Sequence, residues 1–265
     1  LGAGKSPDNE LYLAQPKLFY YSPKFSLNFI GDLNNTGEAS LTRQDIRGFG
    51  GGFRAPSQSS GTNLNLESNA LNFLTRENNA LEVENKLGAT NFSYSPNQAL
   101  DISGFAIYNS SRITSKEINF KRYTDSDLGI PDERTEQTSK ESSNQGLLKL
   151  SSVYKPNANN QLDYDILGRI SKDSQDQIFF SSVLGNTNQF ENNTPYSINQ
   201  NINYYYTLND TNIFAFEAQH LLQDEDPFYN AVIEDKTSYA TTADALGLNG
   251  TQIGYDIAQN RRIKS

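Results

Sequence analysis

The chain has 265 residues, with 22 Lys plus Arg against 31 Asp plus Glu, one His and no Cys. A formal charge of −9 argues against wrapping nucleic acid or coating an anionic membrane, and the missing thiols exclude disulfides and thiolate metal sites. Hydrophobic residues reach only 35%, yet 15 Tyr and 15 Phe are more rings than a disordered chain carries.

No apolar run approaches the roughly 20 residues that a membrane helix needs. The opening "LGAGKSPDNE" has no Met, no basic region and no apolar core, so it reads as the interior of a longer chain or a processed end. A single histidine, His220, leaves no two-histidine metal motif, and any imidazole chemistry would fall on that residue.

Helical periodicity is scarce and period-two alternation is common. The first alternating segment is Lys24 to Leu33, where Phe25, Leu27, Phe29 and Leu33 share one face and Ile30 is the exception. Ala80 to Tyr94 follows, then Ala99 to Ser110, whose two faces both carry apolar residues. Gly146 to Tyr154 comes next. In Gln161 to Ile170, Leu162, Tyr164, Ile166 and Ile170 oppose Asp163, Asp165 and Arg169. Around "INYYYTLNDTNIFAF", Ile198, Ile202, Tyr204 and Tyr206 face one way, whereas Asn199, Asn201, Asn203 and Tyr205 face the other. Asn212 to Gln223 completes about seven strands.

The connections alternate in length. "YSPNQAL", "YKPNANNQL" and "YTLNDTNIF" each set Asn three residues after a tyrosine: Asn97 after Tyr94, Asn157 after Tyr154, Asn209 after Tyr206. Pro fixes φ, and Asn either enters the left-handed region or caps the turn with its side chain, so these are tight hairpins. Between them lie long polar excursions at Asn34 to Asn79, Ser111 to Gln145 and Ser171 to Ser197.

Strands with one apolar face fit either a soluble sandwich or a membrane barrel. Only the barrel requires short turns, long loops and interfacial aromatics together, so the pattern favours an all-β antiparallel transmembrane barrel. Tyr94, Tyr154, Tyr204 and Tyr206 are then interface aromatics, and Phe25, Leu27, Phe29, Leu162, Tyr164, Ile166 and Ile202 face lipid. An odd strand count and a polar tail imply a fragment of a larger barrel. Residues 1–23 become an entry segment, 24–223 the strands with their connections, and 224–265 an outer loop.

Two stretches carry a family resemblance. "QPKLFYYSPKFSLNFIGDLNNTGEASLTRQD", Gln15 to Asp45, is similar to the start of the barrel in a class of TonB-dependent outer-membrane receptors that often carries a carboxypeptidase-regulatory-like domain. "AQHLLQDEDPFYNA", Ala218 to Ala231, resembles a strand-to-outer-loop junction of the same class. The resemblance implies a plugged barrel of about 22 strands, of which this chain would be roughly the first third. It implies location in a Gram-negative outer membrane and either ligand import or service in an outer-membrane assembly. The implied partners are outer-membrane lipid and lipopolysaccharide, the plug and remaining strands, the periplasmic TonB coupling system, and a surface lipoprotein or other complex subunits. The alternative from another class is a secreted all-β carbohydrate-binding or adhesion module.

Sharper motifs are weak beside this. "DSDLGIPDE" offers Asp125, Asp127, Asp132 and Glu133 as oxygen ligands for calcium, but it lacks EF-hand spacing and reads better as a solvated acidic loop. "GFGGGF", Gly48 to Phe53, misses the dinucleotide and phosphate-loop patterns. The flanking Arg43, Arg47 and Arg54 are candidates for contacts to an anionic ligand, lipopolysaccharide or the plug, with solvated ion pairing as the plainer reading. No carboxylate pair stands out for glycoside hydrolysis, so neither enzyme activity nor a cofactor is expected.

Overall fold

The computed structural model describes residues 2–5, 10–37, 80–122, 132–183, 185–233, 256–260 and 263–264. These form one antiparallel sheet of 14 strands, with no helix among the described residues. The short leading strands are β1 (Gly2–Lys5), β2 (Glu10–Ala14) and β3 (Lys17–Tyr21). The main body is β4 (Phe25–Asn34), β5 (Glu82–Asn97), β6 (Leu100–Lys121), β7 (Glu133–Asn157) and β8 (Asn160–Ser181). After β9 (Gly185–Asn193) come β10 (Tyr196–Asn209), β11 (Asn212–Glu225), β12 (Phe228–Ile233), β13 (Asp256–Asn260) and β14 (Ile263–Lys264).

The seven strands read from alternation are β4, β5, β6, β7, β8, β10 and β11, and they are consecutive neighbours in the sheet. The sheet is not closed into a barrel. Among the described residues, one edge of β3 and the lower part of one edge of β11 carry no partner strand.

Three strands are interrupted by proline without losing register. Asn193 pairs with Asp173 and Tyr196 with Ile170, so β9 and β10 are one strand broken at Thr194–Pro195. Likewise β11 and β12 pair with that strand in one register across Asp226–Pro227. Pro16 separates β2 from β3 opposite β4, and its carbonyl accepts from the Gly31 amide at 2.8 Å. Proline has no N–H for the ladder, so each break costs pairing locally while the chain stays in line. The Thr194 hydroxyl donates to Asp226 Oδ1 at 2.7 Å and ties two of the breaks together.

The excursions Ser111 to Gln145 and Ser171 to Ser197, expected as long loops, are largely strand. β6 continues to Lys121, β7 starts at Glu133, β8 reaches Ser181 and β9 folds back on it. The expected outer loop, 224–265, contains β12, β13 and β14. These segments carry charges and hydroxyls on both faces, so period-two hydrophobicity does not reveal them. The Asn34 to Asn79 excursion lies outside the described residues beyond Gly37 and before Ala80.

The short hairpins share one design. In each the two turn residues are Gln98–Ala99, Ala158–Asn159 or Asp210–Thr211, and the register slips just before the Asn that precedes them. Pro96 and Pro156 sit in the resulting bulges, where no ladder donor is needed. The Asn side chain is a cap rather than a left-handed residue, since no described non-glycine residue has positive φ. Ala99 N–H donates to Asn97 Oδ1 at 2.9 Å, Asn159 N–H to Asn157 at 3.0 Å and Thr211 N–H to Asn209 at 3.1 Å.

Candidate functional site: two faces of the sheet

Residues opposite one another on neighbouring strands share a face, so register sorts every side chain. Starting at the short-turn end, one face reads Leu100, Tyr154, Leu162, Tyr204 and Phe216 from β6 to β11. The next row is Phe25, Tyr94, Ile102, Ser152, Tyr164, Ile202 and Ala218. Then come Leu27, Phe92, Gly104, Leu150, Ile166, Gln200 and His220, followed by Phe29, Thr90, Ala106, Leu148, Gly168, Ile198 and Leu222. These four rows hold no Asp, Glu, Lys or Arg. A fifth row, Gly31, Gly88, Tyr108, Gly146, Ile170, Tyr196 and Asp224, closes the band, and its β11 member is a buried carboxylate. We call this the aromatic face.

The opposite, amide face carries Ser26, Ser93, Ser103, Ser151, Asp165, Asn201 and Gln219 in one row. Asn28, Asn91, Phe105, Lys149, Leu167, Asn199 and Leu221 form the next. Ile30, the exception in its segment, meets Ala89, Ile107 and Leu147 in a small apolar row within this polar face.

Burial separates the two faces. The aromatic face is open: Ile170 is 64% exposed, Phe216 60%, Leu148 57% and Tyr108 55%. The amide face is closed, with Asp32, Asn34, Asn91, Asn109, Lys149, Asp163, Asn199 and Asn203 all buried, together with the apolar Ile30, Leu87, Ala89, Phe105, Ile107 and Leu147. Buried polar groups need partners, and several find them on the same face. Asn28 Nδ2 donates to Asn91 Oδ1 at 2.7 Å, Gln219 to Asn199 at 3.2 Å and Gln161 to Asp163 at 2.8 Å.

Tyr94, Tyr154 and Tyr204 are exposed on the aromatic face at the short-turn edge, and Tyr206 is half-buried one step beyond them. The Tyr204 hydroxyl donates to Asn160 Oδ1 at 2.6 Å, whereas Tyr205 points to the amide face and donates to Glu217 at 3.1 Å. Phe25, Leu27, Leu162, Tyr164, Ile166 and Ile202 are half-buried by their neighbours on the aromatic face, and Phe29 is exposed there. The Tyr164 hydroxyl donates to Gln200 Oε1 at 2.9 Å, which satisfies one polar group in mid-band. His220 is exposed beside it in the register. Tyr108 and Tyr196, which alternation alone did not single out, line the other edge of the band. From Leu162 to Ile170 the strand rises about 26 Å, or about 20 Å across the band at a 40° tilt.

Beyond Tyr108 the same face becomes charged. Lys86 and Arg112 contact Glu84 at 2.8 and 3.3 Å, and Lys116 and Arg134 contact Glu136 at 2.5 and 2.8 Å. The Lys86 ammonium holds the Glu84 carboxyl below its ordinary pKa, and Lys116 does the same for Glu136. Asp132 and Glu133 from the acidic motif pair with Arg122 at 3.2 Å and Lys121 at 3.5 Å. The Glu133 carboxylate also accepts from the Ser181 hydroxyl at 2.7 Å. Asp125, Asp127, Arg43, Arg47 and Arg54 lie outside the described residues. No group of three or more metal-ligating Asp, Glu or His residues occurs among the described ones.

In comparison with known proteins, the chain matches no protein-family model and no curated protein sequence.

Proposed function

We propose that the chain is part of a transmembrane β-barrel in a Gram-negative outer membrane, belonging to a TonB-dependent receptor. The observation that carries this reading is the exposed apolar face: aromatic and aliphatic rows are open on one side, while the covered side is mostly amides, hydroxyls and carboxylates around a small apolar row. In water such an arrangement leaves a contiguous apolar surface unsatisfied. In lipid it is the stable one, because an outward apolar band about 25 Å tall, flanked by aromatic girdles, faces acyl chains and the polar face lines the lumen.

The two stretches similar to TonB-dependent receptors, 15–45 and 218–231, support the finer assignment. On that reading the open edges of β3 and β11 pair with further strands of the receptor, and the amide face meets a hydrated plug. The chain contributes wall and outer projections to ligand import, or to an outer-membrane assembly, and carries no catalytic step.

The absence of native cysteine makes the test direct. Single substitutions Ile166→Cys and Asp165→Cys are labelled with a polarity-sensitive dye after the chain is folded into phosphatidylcholine vesicles. The dye at 166 is expected to report hydrocarbon and the dye at 165 a polar setting. A chain that is monomeric in water without detergent, with residue 166 packed inside a dry core, would defeat the proposal and favour a secreted binding module.

A further inference from the structure

The amide face carries more acceptors than donors. Among the described residues, five buried side-chain oxygens accept no hydrogen bond, on Asn28, Asp32, Asn34, Gln145 and Asn193, and no side-chain nitrogen shares that condition. All five residues lie on this face, four of them in two adjacent rows just above the level of Tyr108. One row is Asp32, Leu87, Asn109, Gln145 and Ser171. The other is Asn34, Asn85, Ser111, Ser143, Asp173 and Asn193, with Leu13 on the far side of Asn34. The two rows hold two carboxylates and no Lys or Arg. Asp173 is satisfied by the hydroxyls of Ser143 and Ser171. Asp32 is not. Lys17 and Arg169, the cations of the row below, are both exposed, and Asp32 Oδ1 accepts from neither. The row above adds Glu141 and Glu191 and no cation.

Asp32 and Asn34 are alternate residues of β4, and both are completely buried. Asn34 Nδ2 donates to Asp32 Oδ2, which fixes the amide, because the reverse orientation would set its oxygen against the carboxylate. Asn34 Oδ1 and Asp32 Oδ1 are left without donors, on two head groups already in contact. An acceptor buried without a partner is costly, and a charged one more so. We propose that Asp32 and Asn34 bind a calcium ion through these two oxygens, with Asn85, directly opposite Asn34, as the adjacent oxygen donor. One ion answers both oxygens and the carboxylate charge, whereas a proton on Asp32 answers only its own. Calcium accepts carboxylate and carboxamide oxygens together, at roughly 2.3–2.6 Å and in flexible geometry, with water in the remaining positions. Magnesium demands near-octahedral geometry and gives up water reluctantly, so a pair of strand side chains suits it less. A single carboxylate sets the affinity at the weak end, roughly 10⁻⁴–10⁻³ M. The site does not depend on which solvent the aromatic face meets.

The test uses the full chain, folded in neutral detergent micelles or in water if it needs none. Terbium is titrated first, since tyrosine sensitises its emission and the chain has no Trp, and calcium then competes. Saturable emission that calcium displaces is expected, with a higher urea midpoint in calcium than in chelator. Asp32→Asn should weaken calcium about 10-fold, because affinity follows the charge of the ligand set. Asn34→Asp should tighten calcium by about 10-fold yet lower the midpoint in chelator, where two carboxylates then repel. A contact that only holds the strand together would give the second effect without the first. Asp210→Asn, at an exposed hairpin tip, should leave binding unchanged. Equal midpoints in calcium and chelator, undiminished binding by Asp32→Asn, or an equal response to magnesium would each overturn the site. Should Asp32→Asn fail to fold, Asn34→Asp decides, and no gain in its calcium affinity overturns the proposal.

Discussion

The lower and upper halves of β6, β7 and β8 are the same strands under opposite rules. Below Tyr108 and Ile170, the aromatic face of these three strands excludes charge, and its polar groups in the apolar rows are Ser152 and the tyrosine hydroxyls. Above that line the same face carries Arg112, Lys116, Arg134, Glu84 and Glu136 in ion pairs. Pro16, Pro195 and Pro227 all fall close to this boundary, where the flanking strands are interrupted. The difference teaches that backbone pairing is indifferent to the solvent outside it. Side-chain chemistry marks where one solvent ends, while the hydrogen-bonded ladder runs straight through.

A charge placed in the band should break this comparison most severely. Ile166→Arg is expected to cost about 2–4 kcal/mol in vesicles, as an arginine at mid-bilayer on a barrel's lipid face does. Thr138→Arg, on the same face above the boundary, should stay within about 0.5 kcal/mol. Urea titration of vesicle-folded protein measures both, and equal costs would erase the distinction between halves.

Glycines within the band sharpen it next. A Cβ on Gly104 would lie 2.6 Å from the Lys149 carbonyl oxygen and 3.0 Å from the Phe92 ring, whereas Gly88 and Gly168 meet nothing within 4 Å. Gly104→Ala should therefore destabilise by about 1–3 kcal/mol through overpacking against backbone. Gly88→Ala should be neutral or slightly stabilising, because it restricts the unfolded chain. The shift in urea midpoint decides between them.

The hairpin caps come third. Asn157→Ala removes the acceptor for the Asn159 N–H and should cost about 1 kcal/mol. Faster amide hydrogen exchange at Asn159, with protection in mid-β7 unchanged, is the expected local signature.

The smallest effect belongs to the upper half. Lys116→Gln removes the main cause of the lowered Glu136 pKa, so that carboxyl should titrate closer to its ordinary value in an NMR titration. A depressed carboxyl contributes stability that is present above its unfolded pKa and lost as pH falls through the folded one. The difference between wild type and variant should therefore be seen at neutral pH and disappear in acid below the carboxylate range.

Much of the lower half is legible in the chain itself. Alternation in Gln161 to Ile170 and Ile198 to Tyr206 gives strands with the right residues on each face, because a strand's side-chain period is a local property. The Tyr–Asn spacing gives the hairpins for the same reason. The upper half is not legible. Segments such as Glu133 to Gln145 have little hydrophobic contrast, and what holds them is pairing with Lys121 to Asn109 and Ser181 to Ser171. Tyr108 was missed as an edge residue because its segment is apolar on both faces, and only its neighbours Gly88 and Gly146 show which row it belongs to.

The sequence by itself determined that strands exist, where the tight turns fall and which side chains share a face, since all three follow from spacing along a few residues. Tertiary structure decided which face is covered, how far the strands run past the apolar band, and that Ile30 meets Ala89, Ile107 and Leu147 on the covered face. Those outcomes depend on register between segments tens of residues apart, where each strand's neighbours supply the hydrogen bonds and the burial that no single segment carries.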